Sequence, residues 1–286
     1  MHWTQCHQTP YEADMAVSTF TRWNLSQEAS GFLMSVGFVC LAAVRDVYLG
    51  GLFQQATPLL IGTVSFSLCI VLFMPVALIG SRRSLGVLWR HSGKVLWVNV
   101  TSACAWLAFF YALKLIEPLV VQILYSGIGP LSVIWIERYL SAASREIPLT
   151  RAEQIAFLAL LMTLVFSAAI VLVGLSGITT ASTGDAAIGL LLAVGGGVVI
   201  SVSTMLCRQL NDSGVKPHAL LAVRYPATAV GAAAAMTLLP STLPDGPSLL
   251  DTAVATAALL IIVPSYVNQV AISLASPLTV RVVLAA

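Results

Sequence analysis

What this sequence has least of is charge: 14 Lys and Arg and 12 Asp and Glu in 286 residues, 9% of positions, where soluble domains carry roughly 25%. The shortage excludes an ordinary water-soluble domain, and a net charge of +2 spread thinly along the chain excludes nucleic acid as a partner. The cysteines, Cys6, Cys40, Cys69, Cys104 and Cys207, share no paired spacing, so neither a disulfide framework nor a CxxC metal site is encoded. Histidines His2, His7, His91 and His218 all fall in polar segments between or before the apolar runs, which leaves no intramembrane metal cluster to expect. Gly93 and Lys94 lack the GxxxxGK[ST] frame of a phosphate loop, and no serine sits in a G-x-S-x-G elbow. The expectation is therefore a protein that is not an enzyme and uses no cofactor. Residues 1–29, with Glu12, Asp14, Arg22 and Glu28, lack the basic start and short apolar core of a signal peptide and read as a cytoplasmic tail.

Hydrophobic residues, by contrast, fill 58% of the chain and gather in long runs. Crossing roughly 30 Å of hydrocarbon at 1.5 Å per residue takes about 20 mostly apolar residues. Runs of that kind occupy 31–53, 58–80, 95–113, 118–136, 155–175, 188–206, 219–239 and 252–273, and a ninth opens at Pro277. Backbone groups in lipid must be satisfied within their own segment, so each run is expected to be helical.

The chain also repeats itself. At an offset of 159 residues, Ala112, Leu115, Pro118, Leu119 and Val121 fall on Ala271, Leu274, Pro277, Leu278 and Val280. The same offset lays Leu33, Gly37, Val39 and Pro58 over Leu192, Gly196, Val198 and Pro217. The organisation expected is a first five-helix repeat over 30–176, a Gly/Ser/Thr linker at 177–187, and a second repeat over 188–286. An odd number of helices per repeat turns the second unit upside down relative to the first, a plan that recurs in secondary transporters.

Further features narrow the reading. The third run ends in Phe109 to Lys114 (FFYALK), Pro130 sits within the fourth, and Glu146 with Leu149 and Thr150 precedes the fifth. Arg224 stands near the start of the second helix of the second unit, where the first unit has Ser65. Taken together these resemble the EamA-like transporters of the drug/metabolite transporter superfamily, over residues 31–286. The resemblance implies an all-α integral membrane protein with an inverted repeat on a ten-helix plan, of which the last helix and a half is absent from this chain. It implies alternating-access transport of a small metabolite, by gradient-coupled export or exchange, in the cell membrane, or the inner membrane of a Gram-negative cell. The partners expected are the small-molecule substrate and the lipid bilayer, with a homodimer left open. A membrane-embedded enzyme and a non-functional truncated transporter product remain the alternatives.

Polar residues inside the apolar runs are the candidates for function. Asp46 is the carboxylate well inside a run, and a charge at that depth costs about 3 kcal/mol or more without a partner or cavity. It reads either as an ion- or proton-coupling site or, with Arg45, as a hydrated pair near the outer interface. Gln122, Tyr125 and Gly129 share one helical face with Ser126 beside it, either lining a cavity or bonding between helices. Asn99 on one run and Tyr266, Asn268 and Gln269 on its repeat equivalent read as pocket lining or as interhelical bonding. Arg281 falls on Gln122 at the repeat offset; it either snorkels to the interface or, with Arg224, presents a planar fork to a substrate carboxylate or phosphate.

Ten Lys and Arg flank one set of ends (Arg22, Arg82, Arg83, Arg90, Lys94, Arg138, Arg145, Arg151, Arg208, Lys216) and two, Arg45 and Lys114, the other. The imbalance puts the N-terminus in the cytoplasm. Reporter fusions after Arg83, Arg145 and Asp212 should then report cytoplasm, and fusions after Gln55, Thr180 and Asp245 the opposite side; reversal of any two defeats the inverted arrangement.

Overall fold

The structure, a computed structural model, describes residues 10–53, 56–140, 151–173, 182–238 and 252–285. The described residues form α1 (Pro10–Leu52), α2 (Pro58–Gly80), α3 (Arg82–Arg90), α4 (Ser92–Leu115), α5 (Pro118–Leu140), α6 (Arg151–Leu172), α7 (Thr183–Asp212), α8 (Pro217–Arg224), α9 (Pro226–Leu238), α10 (Thr252–Leu274) and α11 (Pro277–Ala285). Eight stretches, among them Gln27–Leu52 of α1 and Pro217–Leu238 across α8 and α9, are long and apolar enough to cross a bilayer. Ile79, Trp135, Phe166 and Leu191 lie exposed on their outer faces. A bilayer solvates such side chains where water would not, and the chain is a multi-pass membrane protein.

The helix ends have local causes. α7 starts at Thr183 rather than at 188, because Ser182 and Asp185 form a capping box: Asp185 N donates to Ser182 Oγ (3.1 Å) and Ser182 N to Asp185 Oδ2 (3.2 Å). Part of the segment read as linker is thus the first turn of a helix. At its other end α7 closes with Gly214 at φ 90°, Val215 N donating to Leu210 O and Gly214 N to Asn211 O. That is the Schellman pattern, completed by the burial of both Leu210 and Val215. The stretch 82–90, read from its arginines as a loop, is the helix α3: Ser84 and Leu88 face inward while Arg82, Arg83, Trp89 and Arg90 face out. Ser81 bonds His218 (2.7 Å), and Ser84 Oγ accepts from Lys216 N (3.2 Å), pinning the α2–α3 corner to the turn before α8.

The seventh run, read as one span from 219, is broken into α8 and α9 at Tyr225. Pro226 lacks the amide that would bond the Ala222 carbonyl, and its ring clashes with that turn. Asn99 of α4 then enters the gap. Its Nδ2 donates to Val223 O (2.6 Å) and its Oδ1 accepts from Ala227 N (3.2 Å), so one side-chain amide occupies both ends of an interrupted i→i+4 bond. Pro130, by contrast, is held within a continuous α5.

The repeat offset reappears in the element boundaries: α2 and α8 start at Pro58 and Pro217, α4 and α10 end at Leu115 and Leu274, and α5 and α11 start at Pro118 and Pro277. Packing is exchanged in the same way. α1 runs along α10 and α4 along α7; α5 crosses α7 and α11 crosses α1; α5 meets α11. α6 stands outside against α5 and α7. The α5–α7 approach needs glycine, since a Cβ at Gly197 of α7 would collide with Ile128 and with the Tyr125 carbonyl of α5. Overpacking of this kind costs typically 1–3 kcal/mol. Gly197→Ala should therefore lower the thermal unfolding midpoint in detergent, whereas Gly195→Ala, whose Cβ meets nothing, should leave it unchanged.

Candidate functional site

Within the bundle, α1, α4, α5, α7, α8, α10 and α11 line a cavity of about 40 Å³, room for a few water molecules. Its polar lining comes from Arg45, Gln122, Tyr125, Ser126, Arg224, Ser265, Asn268 and Arg281, with Trp106 and Tyr225 among the aromatic residues beside them. Three guanidinium groups therefore converge on one small space.

Each is held differently. Arg224, at the last position of α8 before the break, is 2% exposed and engaged at each nitrogen: Nε donates to Ser102 Oγ (2.9 Å), Nη1 to Gln269 Oε1 (2.9 Å) and Nη2 to Ser203 Oγ (3.3 Å). Ser102 and Ser203 also bond each other at 2.9 Å, so α4, α7, α8 and α10 meet on this one side chain. Arg45 donates from Nε to Asp46 Oδ1 (2.6 Å), and its guanidinium lies 5.4 Å from the Trp106 ring centroid and 5.2 Å from that of Phe109. Both charges of that pair are buried, which corrects the reading of a hydrated pair near the outer interface. It also removes Arg45 from the count of flanking basic residues. Neighbours on a helix start about 100° apart, but the long arginine stem bends back to close the gap. Arg281 is 2% exposed and donates once, from Nη2 to Thr204 Oγ1 (2.7 Å), while its Nε has no partner. Gly129 on α5 makes the space for it: a Cβ there would lie 2.8 Å from Arg281 Cδ.

Arg45 pairs with Asp46 beside the cavity, and Arg208 with Asp212 near the end of α7. Three cations thus face one carboxylate, and the surplus positive charge is met by neutral oxygens alone. An uncompensated cation within an apolar span is costly, and it persists only where a cavity or partner receives it.

Of the residues singled out in the sequence, Gln122, Tyr125, Ser126, Arg224, Asn268 and Arg281 come together at this cavity. Gln122 Nε2 donates to Ser126 Oγ at 2.9 Å along the same helix. Gln269 stands behind, orienting Arg224. Asp46 reaches the cavity through Arg45. Asn99 is committed to the α8–α9 break, and Tyr266 lies on the outer face, its ring stacked 5.5 Å from Phe73. Sequence reasoning missed Arg45, Ser102, Ser203, Thr204 and Ser265. A signal for several was present, because the cavity is lined by pairs at the repeat offset: Trp106 with Ser265, Gln122 with Arg281, Tyr125 with Leu284. Thr204 is likewise the offset partner of Arg45.

No family model matches the chain, and no curated protein matches it. Among solved structures, one protein crystal structure superposes with a TM-score of 0.58 over 91% of this chain and 82% of that one, at 19% identity. The likeness is one of fold.

Asn99 and Asn268 should separate structure from site. Asn99→Leu strands a carbonyl and an amide, each costing about 1–3 kcal/mol when buried, and should lower the unfolding midpoint measurably. Asn268→Ala removes a side chain whose Oδ1 already lacks a partner and should leave stability within about 1 kcal/mol.

Proposed function

We propose that the chain is a membrane transporter that carries a small metabolite by alternating access, in the manner of the EamA-like proteins it resembles. The observation that carries this reading is the arginine-lined cavity inside an otherwise apolar helical bundle. A purely structural bundle has no use for charge at that position, whereas a carrier needs a polar site closed off from both faces during part of its cycle.

Support for an inverted repeat comes from the paired contacts. α1 with α10 and α4 with α7 are one contact with the two halves interchanged, as a pseudo-two-fold would require. The cavity sits where offset-related residues meet, which is where such an axis would pass. In secondary transporters of this plan the site is formed at the repeat interface by interrupted helices, and the α8–α9 break beside Arg224 has that character. Opening would proceed by parting of the halves.

Asp46 is the proposed coupling group. One of its oxygens holds Arg45 and the other, Oδ2, has no partner, so protonation of Asp46 would release Arg45 toward the cavity. The N-terminus is proposed to face the cytoplasm of a cell or inner membrane, and no chemical conversion is assigned.

The test is counterflow in proteoliposomes made from the purified chain, preloaded with a pooled extract of small metabolites. Time-dependent accumulation of at least one labelled component above protein-free vesicles is expected; a folded protein that accumulates none contradicts the reading. In the same vesicles Asp46→Asn should abolish accumulation driven by a pH gradient and retain exchange. Unimpaired gradient-driven accumulation in that variant would take the coupling role away from Asp46.

A further inference from the structure

We infer that the cavity recognises an oxyanion, a carboxylate or phosphate group, and that Arg281 is the residue that grips it. The inference rests on the transport reading for its biological meaning and on the lining for its chemistry. Around the cavity, charged donors face neutral acceptors. Arg281 presents an unpartnered Nε and a guanidinium with one bond made, and Tyr125 presents a phenol. Ser126 Oγ already accepts from Gln122, so its own hydrogen is free to donate. The side-chain acceptors beside them, the amide carbonyls of Gln122 and Asn268 and the Ser265 hydroxyl among them, carry no charge. Among the described residues no carboxylate lines the cavity, and the one nearby, on Asp46, holds Arg45 through Oδ1.

Charge leads to the same conclusion. Arg224 and Arg281 have no carboxylate partner among the described residues, so a cationic ligand would add to a repulsion already present and a neutral one would leave it unrelieved. A planar oxyanion instead takes two parallel N–H bonds from a guanidinium fork. Arg224, tied by its three nitrogens to Ser102, Gln269 and Ser203, acts as the fixed source of positive field. Arg281, on a single tether and with Gly129 leaving its stem unobstructed, is the mobile arm.

The experiment is equilibrium binding to the purified full chain in detergent, read by intrinsic tryptophan fluorescence, since Trp106 lines the cavity. The probes are sodium phosphate and sodium acetate, with choline chloride and glycerol as cationic and neutral controls at matched ionic strength. Saturable binding of at least one anion and none of the controls is expected. Arg281→Lys keeps the charge and loses the fork, and should weaken binding about tenfold; Tyr125→Phe removes a donor and keeps the ring, and should weaken it severalfold. Arg83→Gln, on the exposed face of α3, should bind as the unaltered chain does. No saturable anion binding, or equal affinity in the unaltered chain and both cavity variants, overturns the inference. Competition of phosphate by dihexanoylphosphatidylglycerol identifies a lipid headgroup as the source of the oxyanion, and lack of competition identifies a soluble one. Anion binding without flux of any metabolite removes the transport reading and keeps the site. Flux of a cationic or neutral cargo without anion binding keeps the transport reading and removes the site.

Discussion

The constraint on which this structure depends is the cost of holding guanidinium groups away from water inside an apolar bundle. Arg224 meets it with neutral oxygens from three other helices, each within 3.3 Å. To bring those oxygens in, Ser102 and Ser203 must face each other between α4 and α7, and α8 must stop at Arg224 so that the side chain points inward. The stop is Pro226, and the exposed backbone it leaves is repaired by Asn99. Gly197 lets α7 lie close against α5, and Gly129 leaves the notch that Arg281 occupies. These small and polar residues, scattered in the sequence, serve one electrostatic requirement.

On the proposed repeat, matching backbone positions of the two halves would reach one cavity with different chemistry. Offset-related positions reach the same space but carry different side chains: Trp106 opposite Ser265, Gln122 opposite Arg281, Tyr125 opposite Leu284. At Ser65 and Arg224 the difference is greatest, a buried hydroxyl in one half and the central cation in the other.

Much of the frame was legible in the sequence because hydrocarbon imposes a length and a helix on every apolar run. The starts of α2, α5 and α11 at prolines were read where the runs open, and the shared face of Gln122 and Tyr125 follows from helical periodicity, whereas α8 starts at Pro217, two residues before the run read from 219. Other features were hidden for physical reasons. Helical spacing fixes where a Cα–Cβ bond points, and an arginine has enough torsions beyond it to reach its neighbour, so the Arg45–Asp46 pair could not be inferred. α3 mixes arginines with Leu85, Val87, Leu88 and Trp89, a pattern too short to distinguish from a loop by composition. Asn99 and Tyr266 look alike as polar residues within spans, and only the tertiary fold sends one into a backbone gap and the other to the surface.

The central claim is that this cavity is reached in turn from the two sides of the membrane. Asn268 lines it without a partner for its Oδ1, which makes it a site for a reporter. In a chain with Cys6, Cys40, Cys69, Cys104 and Cys207 replaced by alanine, Asn268→Cys would be treated with a membrane-impermeant maleimide from each face of oriented vesicles. The account predicts labelling from both faces, slow because the closed form dominates. Labelling confined to one face under all conditions, or none from either while the protein remains folded, would contradict it.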